Sequence, residues 1–144
     1  MRALVADDEA SVRSALRLFL EQHFGARVLS EAAEAGELLA GVERACPDLL
    51  LLDWGLPRLD AMEMLPVMRA RCPKMKIVVL NGRPDARRAA LEGGADAFVS
   101  KGDSPGELLA ALDNLEGLSL QVRQAGETSG DPGDGETPRQ TRST

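Results

Sequence analysis

Histidine occurs once and cysteine twice in this sequence of 144 residues. With His23 alone, and with Cys46 and Cys72 far apart and each followed by proline, no Cys/His zinc site of usual spacing can be drawn and no CxxC motif exists. The same layout makes two reduced thiols, at helix ends or in the core, the expectation rather than a disulfide. Long apolar runs are missing as well. None approaches the roughly 18 residues that span a bilayer, so no membrane partner is expected. The opening MRALVADDEA lacks the basic, apolar, small-residue order of a secretory signal, and its acidic pair argues against a transit peptide. A cytoplasmic home is the expectation. Basic residues are outnumbered, 17 Lys and Arg against 23 Asp and Glu, for a net charge of -6. That balance leaves no basic footprint for direct nucleic-acid binding, and it suits cations or a basic partner face. No internal repeat is visible.

Present instead is an alternation of short apolar runs with amphipathic stretches. Ala3-Leu4-Val5-Ala6 reads as a buried strand that stops at Asp7-Asp8. From Ala10 to Phe24 the apolar positions Val12, Ala15, Leu16, Phe19 and Leu20 recur at helical spacing, with Gly25 as the stop. Arg27-Val28-Leu29 is a weaker strand, and Ala35 to Ala45 a helix ended by Pro47. Leu49-Leu50-Leu51-Leu52 runs into Asp53, as a strand covered on both faces should. A loop from Trp54 to Asp60 leads to a helix through Met62, Leu65 and Met68. Ile77 to Leu80 is a fourth strand ending at Asn81-Gly82, followed by a helix opened by Pro84 and closed by Gly93-Gly94. Ala97-Phe98-Val99 is a fifth strand, ending at Ser100-Lys101. Asp103 or Ser104 caps a last helix carrying Leu108, Leu109, Leu112 and Leu115. The pattern predicts an α/β fold, a doubly wound parallel sheet of five strands with five helices, over residues 1–118. Residues 119–144 are too polar to offset their ordering entropy and read as a disordered tail or linker remnant.

In such a sheet, ligands bind beyond the carboxyl ends of the strands. The residues delivered there are Asp7 and Asp8, Asp53, Asn81 and Lys101. Clustered carboxylates resist ionisation unless a cation joins them. Hard oxygen ligands without nitrogen or sulfur nearby point to Mg²⁺. A carboxylate beside Mg²⁺ and a lysine can attack phosphorus, with both cations offsetting charge on the equatorial oxygens.

Four segments in order, LVADDEASVR, LLLLDWGLPRLDAMEML, KIVVLNGRPD and GADAFVSKGDSPGELLAAL, resemble the signature blocks of response-regulator receiver domains, over roughly Arg2 to Glu116. The resemblance implies the flavodoxin-like strand order 2-1-3-4-5, that of the chemotaxis receiver. It implies Asp53 as phosphoacceptor, Asp8 as a direct Mg²⁺ ligand, Asp7 as its water-mediated partner, and the Gly55 carbonyl as a further ligand. Lys101 matches the lysine that pairs with the phosphoryl group, and Phe98 the aromatic whose rotamer reports activation. It implies a donor, a sensor histidine kinase or phosphotransfer protein, and an output partner or a second copy at the helix-four, strand-five, helix-five face. Catalysis is then confined to the domain's own phosphotransfer and dephosphorylation, so it is a two-component signalling module and not a conventional enzyme.

Two positions depart from the pattern. Strand four of receivers ends in Ser or Thr, where this chain has Asn81, whose N–H₂ still donates to a phosphoryl oxygen. Gly102 follows Lys101 where many receivers have proline, so the link is freer. The Phe-Val-Ser-Lys-Gly form is similar to receivers joined to a helix-turn-helix output domain, and no recognition helix follows here. Asn81 also admits a rival, a pseudo-receiver that binds without switching by phosphorylation. An aspartyl phosphatase would want a second Asp where Gly55 stands.

Overall fold

A computed structural model of the chain describes residues 1–81, 83–101 and 105–115. The expected cap at Asp103 or Ser104, the link at Gly102 and the polar tail lie outside the described residues. Met1–Leu108 forms one compact unit, and a second begins at Leu109. The first unit contains strands β1 (Arg2–Ala6), β2 (Arg27–Ala32), β3 (Leu49–Asp53), β4 (Lys76–Asn81) and β5 (Ala97–Ser100). They alternate with helices α1 (Ala10–Phe24), α2 (Ala35–Arg44), α3 (Ala61–Arg71) and α4 (Arg87–Glu92). A fifth helix, α5, runs over residues 105–115, with Leu108 and Leu112 buried.

The strands form one parallel sheet in the order β2-β1-β3-β4-β5. The Leu49–Asp53 run lies at its centre and is buried at every position, as continuous apolarity demands. Period-two alternation sorts the side chains onto two faces. Leu4, Ala6, Leu50, Leu52, Ile77, Val79 and Phe98 share one core cluster with Leu38 and Val42 of α2, Leu65 and Met68 of α3, and Ala90 of α4. The alternate set, Ala3, Val5, Leu51, Val78 and Leu80, is equally buried. On that side Val12, Leu16 and Phe19 of α1 line a cavity with Leu80 and Val99.

Helix ends follow local chemistry. Gly25 closes α1 in the left-handed conformation at φ 60°, its N–H reaching back to the Glu21 carbonyl. The Glu34 side chain caps α2 through the Gly36 N–H, and Asp60 caps α3 through the Glu63 N–H. Two elements differ from expectation. Strand β2 extends past Leu29 to Ala32, because an edge strand beside β1 is half-exposed and carries Ser30 and Glu31. The helix expected from Pro84 begins as a 3-10 turn over Pro84–Ala86, leaving α4 six residues long.

The expectation of two reduced thiols is corrected. Cys46 and Cys72 form a disulfide, with Cα atoms 5.6 Å apart. The reason is tertiary. Helices α2 and α3 touch on one face of the sheet, and each runs back toward the strands' amino edge. There Cys46 directly follows the α2 C-cap, Ala45, and Cys72 is itself the α3 C-cap. A separation of 26 residues in sequence therefore becomes contact in space.

Candidate functional site

Register brings the candidate residues level. Ala6 pairs with Leu52, Asp53 with Leu80, and Asn81 with Ser100. Backbone bonds continue one residue beyond the strands, from the Asp7 N–H to the Ala32 carbonyl (2.9 Å), from Trp54 to Leu80 (2.9 Å), and from Lys101 to Asn81 (2.7 Å). The residues after β1, β3 and β5 are thus fixed by the ladder and not left to loose loops.

Asp7, Asp8 and Asp53 each offer a carboxylate oxygen within 4.8 Å of the other two. Asp7 is fully buried and Asp53 nearly so, whereas Asp8 is exposed. The Lys101 ammonium reaches into the cluster, its Nζ 2.7 Å from Asp7 Oδ2 and 3.3 Å from Asp53 Oδ2. Partial burial by itself lowers the pKa of Lys101. The hydrogen bond to Asp7, the attraction of Asp53 and Asp7, and the hydrogen bond to Asp53 together outweigh that, and the net shift is upward from 10.5.

The remaining carboxylate oxygens are held by backbone donors. The Gly55 N–H donates to Asp53 Oδ1 (3.0 Å) and the Glu9 N–H to Asp7 Oδ1 (2.9 Å). Apart from the ion pair with Lys101, the buried Asp7 Oδ2 has no hydrogen-bond partner among the described residues. Three carboxylates against one ammonium leave an excess of negative charge on all-oxygen donors. That donor set fits a hard divalent cation such as Mg²⁺.

Comparison with known proteins decides the family. The family model described as the response regulator receiver domain matches residues 3–113. The chain belongs to this family. The response regulator MprA of Mycobacterium leprae is 36% identical to this receiver over 118 residues, which is 80% of the chain and 50% of that protein. A putative transcriptional regulator of Pseudomonas aeruginosa is 34% identical over 112 residues, 76% of the chain and 54% of its relative. The receiver thus spans about half the length of these curated relatives. Among solved structures it is similar to a LuxR-family two-component response regulator from Aurantimonas sp. SI85-9A1. That match has a TM-score of 0.73, 28% identity, and coverage of 85% of this chain and 92% of that one. The REC domain of AraT, a response regulator from Geobacillus stearothermophilus, matches with a TM-score of 0.73 at 25% identity, over 85% and 97% of the two chains.

The receiver fold brings together Asp7, Asp8, Asp53 and Lys101. Gly55 joins them through its N–H. Asn81 is placed at the end of β4 with its Oδ1 accepting the Arg83 N–H (3.1 Å), so its amide N–H₂ is the donor end. Phe98 is buried in the core cluster, and its carbonyl accepts from Arg87 of α4 at 3.4 Å.

Sequence reasoning missed a support behind the acidic pair. Arg13 of α1 donates to the Asp7 carbonyl (2.7 Å) and pairs with Glu31 of β2 (3.1 Å), which also takes Arg17 at 2.7 Å. Arg13 lies one helical turn from Arg17 and so could be seen as a cationic stripe. The partner Glu31, on an edge strand, becomes visible through the β1–β2 pairing alone.

Proposed function

We propose that this receiver accepts a phosphoryl group on Asp53 from the phosphohistidine of a sensor histidine kinase or phosphotransfer protein, in the cytoplasm and with Mg²⁺ bound. The observation that carries this reading is the bridge from Lys101 to both Asp7 and Asp53 inside the three-carboxylate cluster.

An Asp53 carboxylate oxygen forms the new P–O bond while the P–N bond to the imidazole breaks. The imidazole nitrogen keeps the bonding pair and takes up a proton, and Asp53 becomes an acyl phosphate. Lys101 offsets the charge spread over the equatorial oxygens. Asp8 and Asp53, with the Gly55 carbonyl, would hold Mg²⁺ directly, and Asp7 through water. The ion when bound adds positive charge against the phosphoryl oxygens. The new charge on Asp53 draws Lys101 and the Asn81 N–H₂ inward. That movement biases an equilibrium of the α4 and β5 side, where Arg87 ties helix to strand at the Phe98 carbonyl. This side then meets an output partner or a second copy. Nucleic acid is not among the partners proposed for the receiver itself.

Intact mass after incubation with acetyl phosphate tests the assignment. A gain of one phosphoryl mass that requires Mg²⁺ and disappears in Asp53→Ala is the expected result. An unchanged mass in the unaltered chain, with Mg²⁺ binding shown separately, would overturn it.

A further inference from the structure

At the edge of the sheet opposite the acidic cluster, the Cys46–Cys72 bond closes a loop that contains all of β3, Asp53 and α3. The two cysteine residues differ in exposure. Cys46 is half-buried, whereas Cys72 is 2% exposed. Each also has a carbonyl within reach of a thiol donor: Arg71 O lies 3.5 Å from Cys46 Sγ, and Val42 O 3.9 Å from Cys72 Sγ. The reduced pair therefore finds acceptors where it stands, with no buried S–H left over.

The backbone at these two helix ends is also hydrogen-bonded, and one of the bonds crosses from α3 to α2. Arg2 donates to the Cys46 carbonyl (2.8 Å), and Arg71 donates across to the Glu43 carbonyl at the end of α2 (3.1 Å). The Cys72 N–H bonds the Met68 carbonyl (2.8 Å), and the Cys72 carbonyl accepts from Met75 (3.1 Å). None of these bonds involves a sulfur atom.

We propose that Cys46 and Cys72 form a reversible dithiol–disulfide site, separate from the phosphoacceptor. Its reductant is a low-molecular-weight thiol or a protein dithiol, and its oxidant the corresponding disulfide. An incoming thiolate attacks Sγ of Cys46, the more exposed of the two residues. The S–S bond breaks, and Cys72 leaves as a thiolate that takes up a proton and meets the Val42 carbonyl. A second thiolate attacks the outer sulfur of the mixed disulfide and releases Cys46. Two external thiols become one disulfide, and two electrons pass to the protein. The proposal rests on the functional reading in one respect: cytoplasmic signalling places the chain in a reducing compartment, where a disulfide is characteristically transient or redox-sensing.

The test uses the full chain equilibrated in buffers of reduced and oxidised glutathione, quenched with acid, alkylated, and read by intact mass. Expected are two alkyl groups on the reduced chain and none on the oxidised one. The same midpoint is expected from both directions, with native circular dichroism throughout. Cys72→Ser should take up one glutathione from the oxidised form, and folded Cys46→Ser none. Reduction that occurs only with denaturant, or a folded dithiol that fails to reoxidise, would overturn the proposal. Equal glutathione uptake by the two variants would overturn the order of attack. Phosphoryl labelling of Asp53, run on both redox states, should be unchanged. Since the thiol readings do not involve Asp53, failure of either assignment is distinguishable from failure of the other.

Discussion

Lys101 is 30% exposed at its side chain and touches two carboxylates from two different strands. Because its pKa is raised in the fold, the stabilisation it contributes is fully present below its ordinary value of 10.5. It is lost as pH climbs through the higher folded value. Denaturant midpoints taken from about pH 8 to pH 12 should therefore fall at the alkaline end. Lys101→Met should lose that part of the slope, and should start lower at neutral pH because Asp7 is left buried without a cation. A variant with the same alkaline slope as the unaltered chain would show that the ion pairs contribute nothing to stability. The carboxylates and the lysine were legible in the sequence because each terminates an apolar run. Arg13 was not, since nothing along the chain says that a residue of α1 will meet the Asp7 carbonyl.

Elements obey the local rules most closely where their ends are capped. Gly25 has no neighbour within 4 Å of a notional Cβ, so its cost on substitution is purely that of the left-handed backbone. Gly25→Ala should destabilise by about 1 kcal/mol, read as a lower urea midpoint at unchanged slope. An unshifted midpoint would mean that α1 can end without the left-handed turn. The limits of α1 and β3 could be read from caps and periodicity. Those of β2 and α4 could not. Strand β2 gains its last residues from pairing with β1, whose register slips between Ala3 and Leu4. Helix α4 is shortened because residues Pro84–Ala86 tighten into a 3-10 turn.

At the scale of the whole molecule, β3 is flanked by β1 and β4 and buried at every position. Leu51, fully buried at its centre, should cost about 2–5 kcal/mol as Leu51→Ala. Against a total stability of about 5–15 kcal/mol for a domain of ordinary size, that loss is large. Calorimetry on the variant should show a midpoint many degrees lower. The alternation of strands and helices was legible because parallel strands covered on both faces are uniformly apolar. The strand order came by resemblance, and the cysteine pairing did not come at all, since both depend on which helices share a face. The site draws on the first, third and fifth strands, and Lys101 is the last of its charged residues in the chain. During synthesis, Asp7, Asp8 and Asp53 are therefore all made before the ammonium that contacts them. Pairing of β1 with β3 in a nascent chain gathers like charges at one edge before β5 docks.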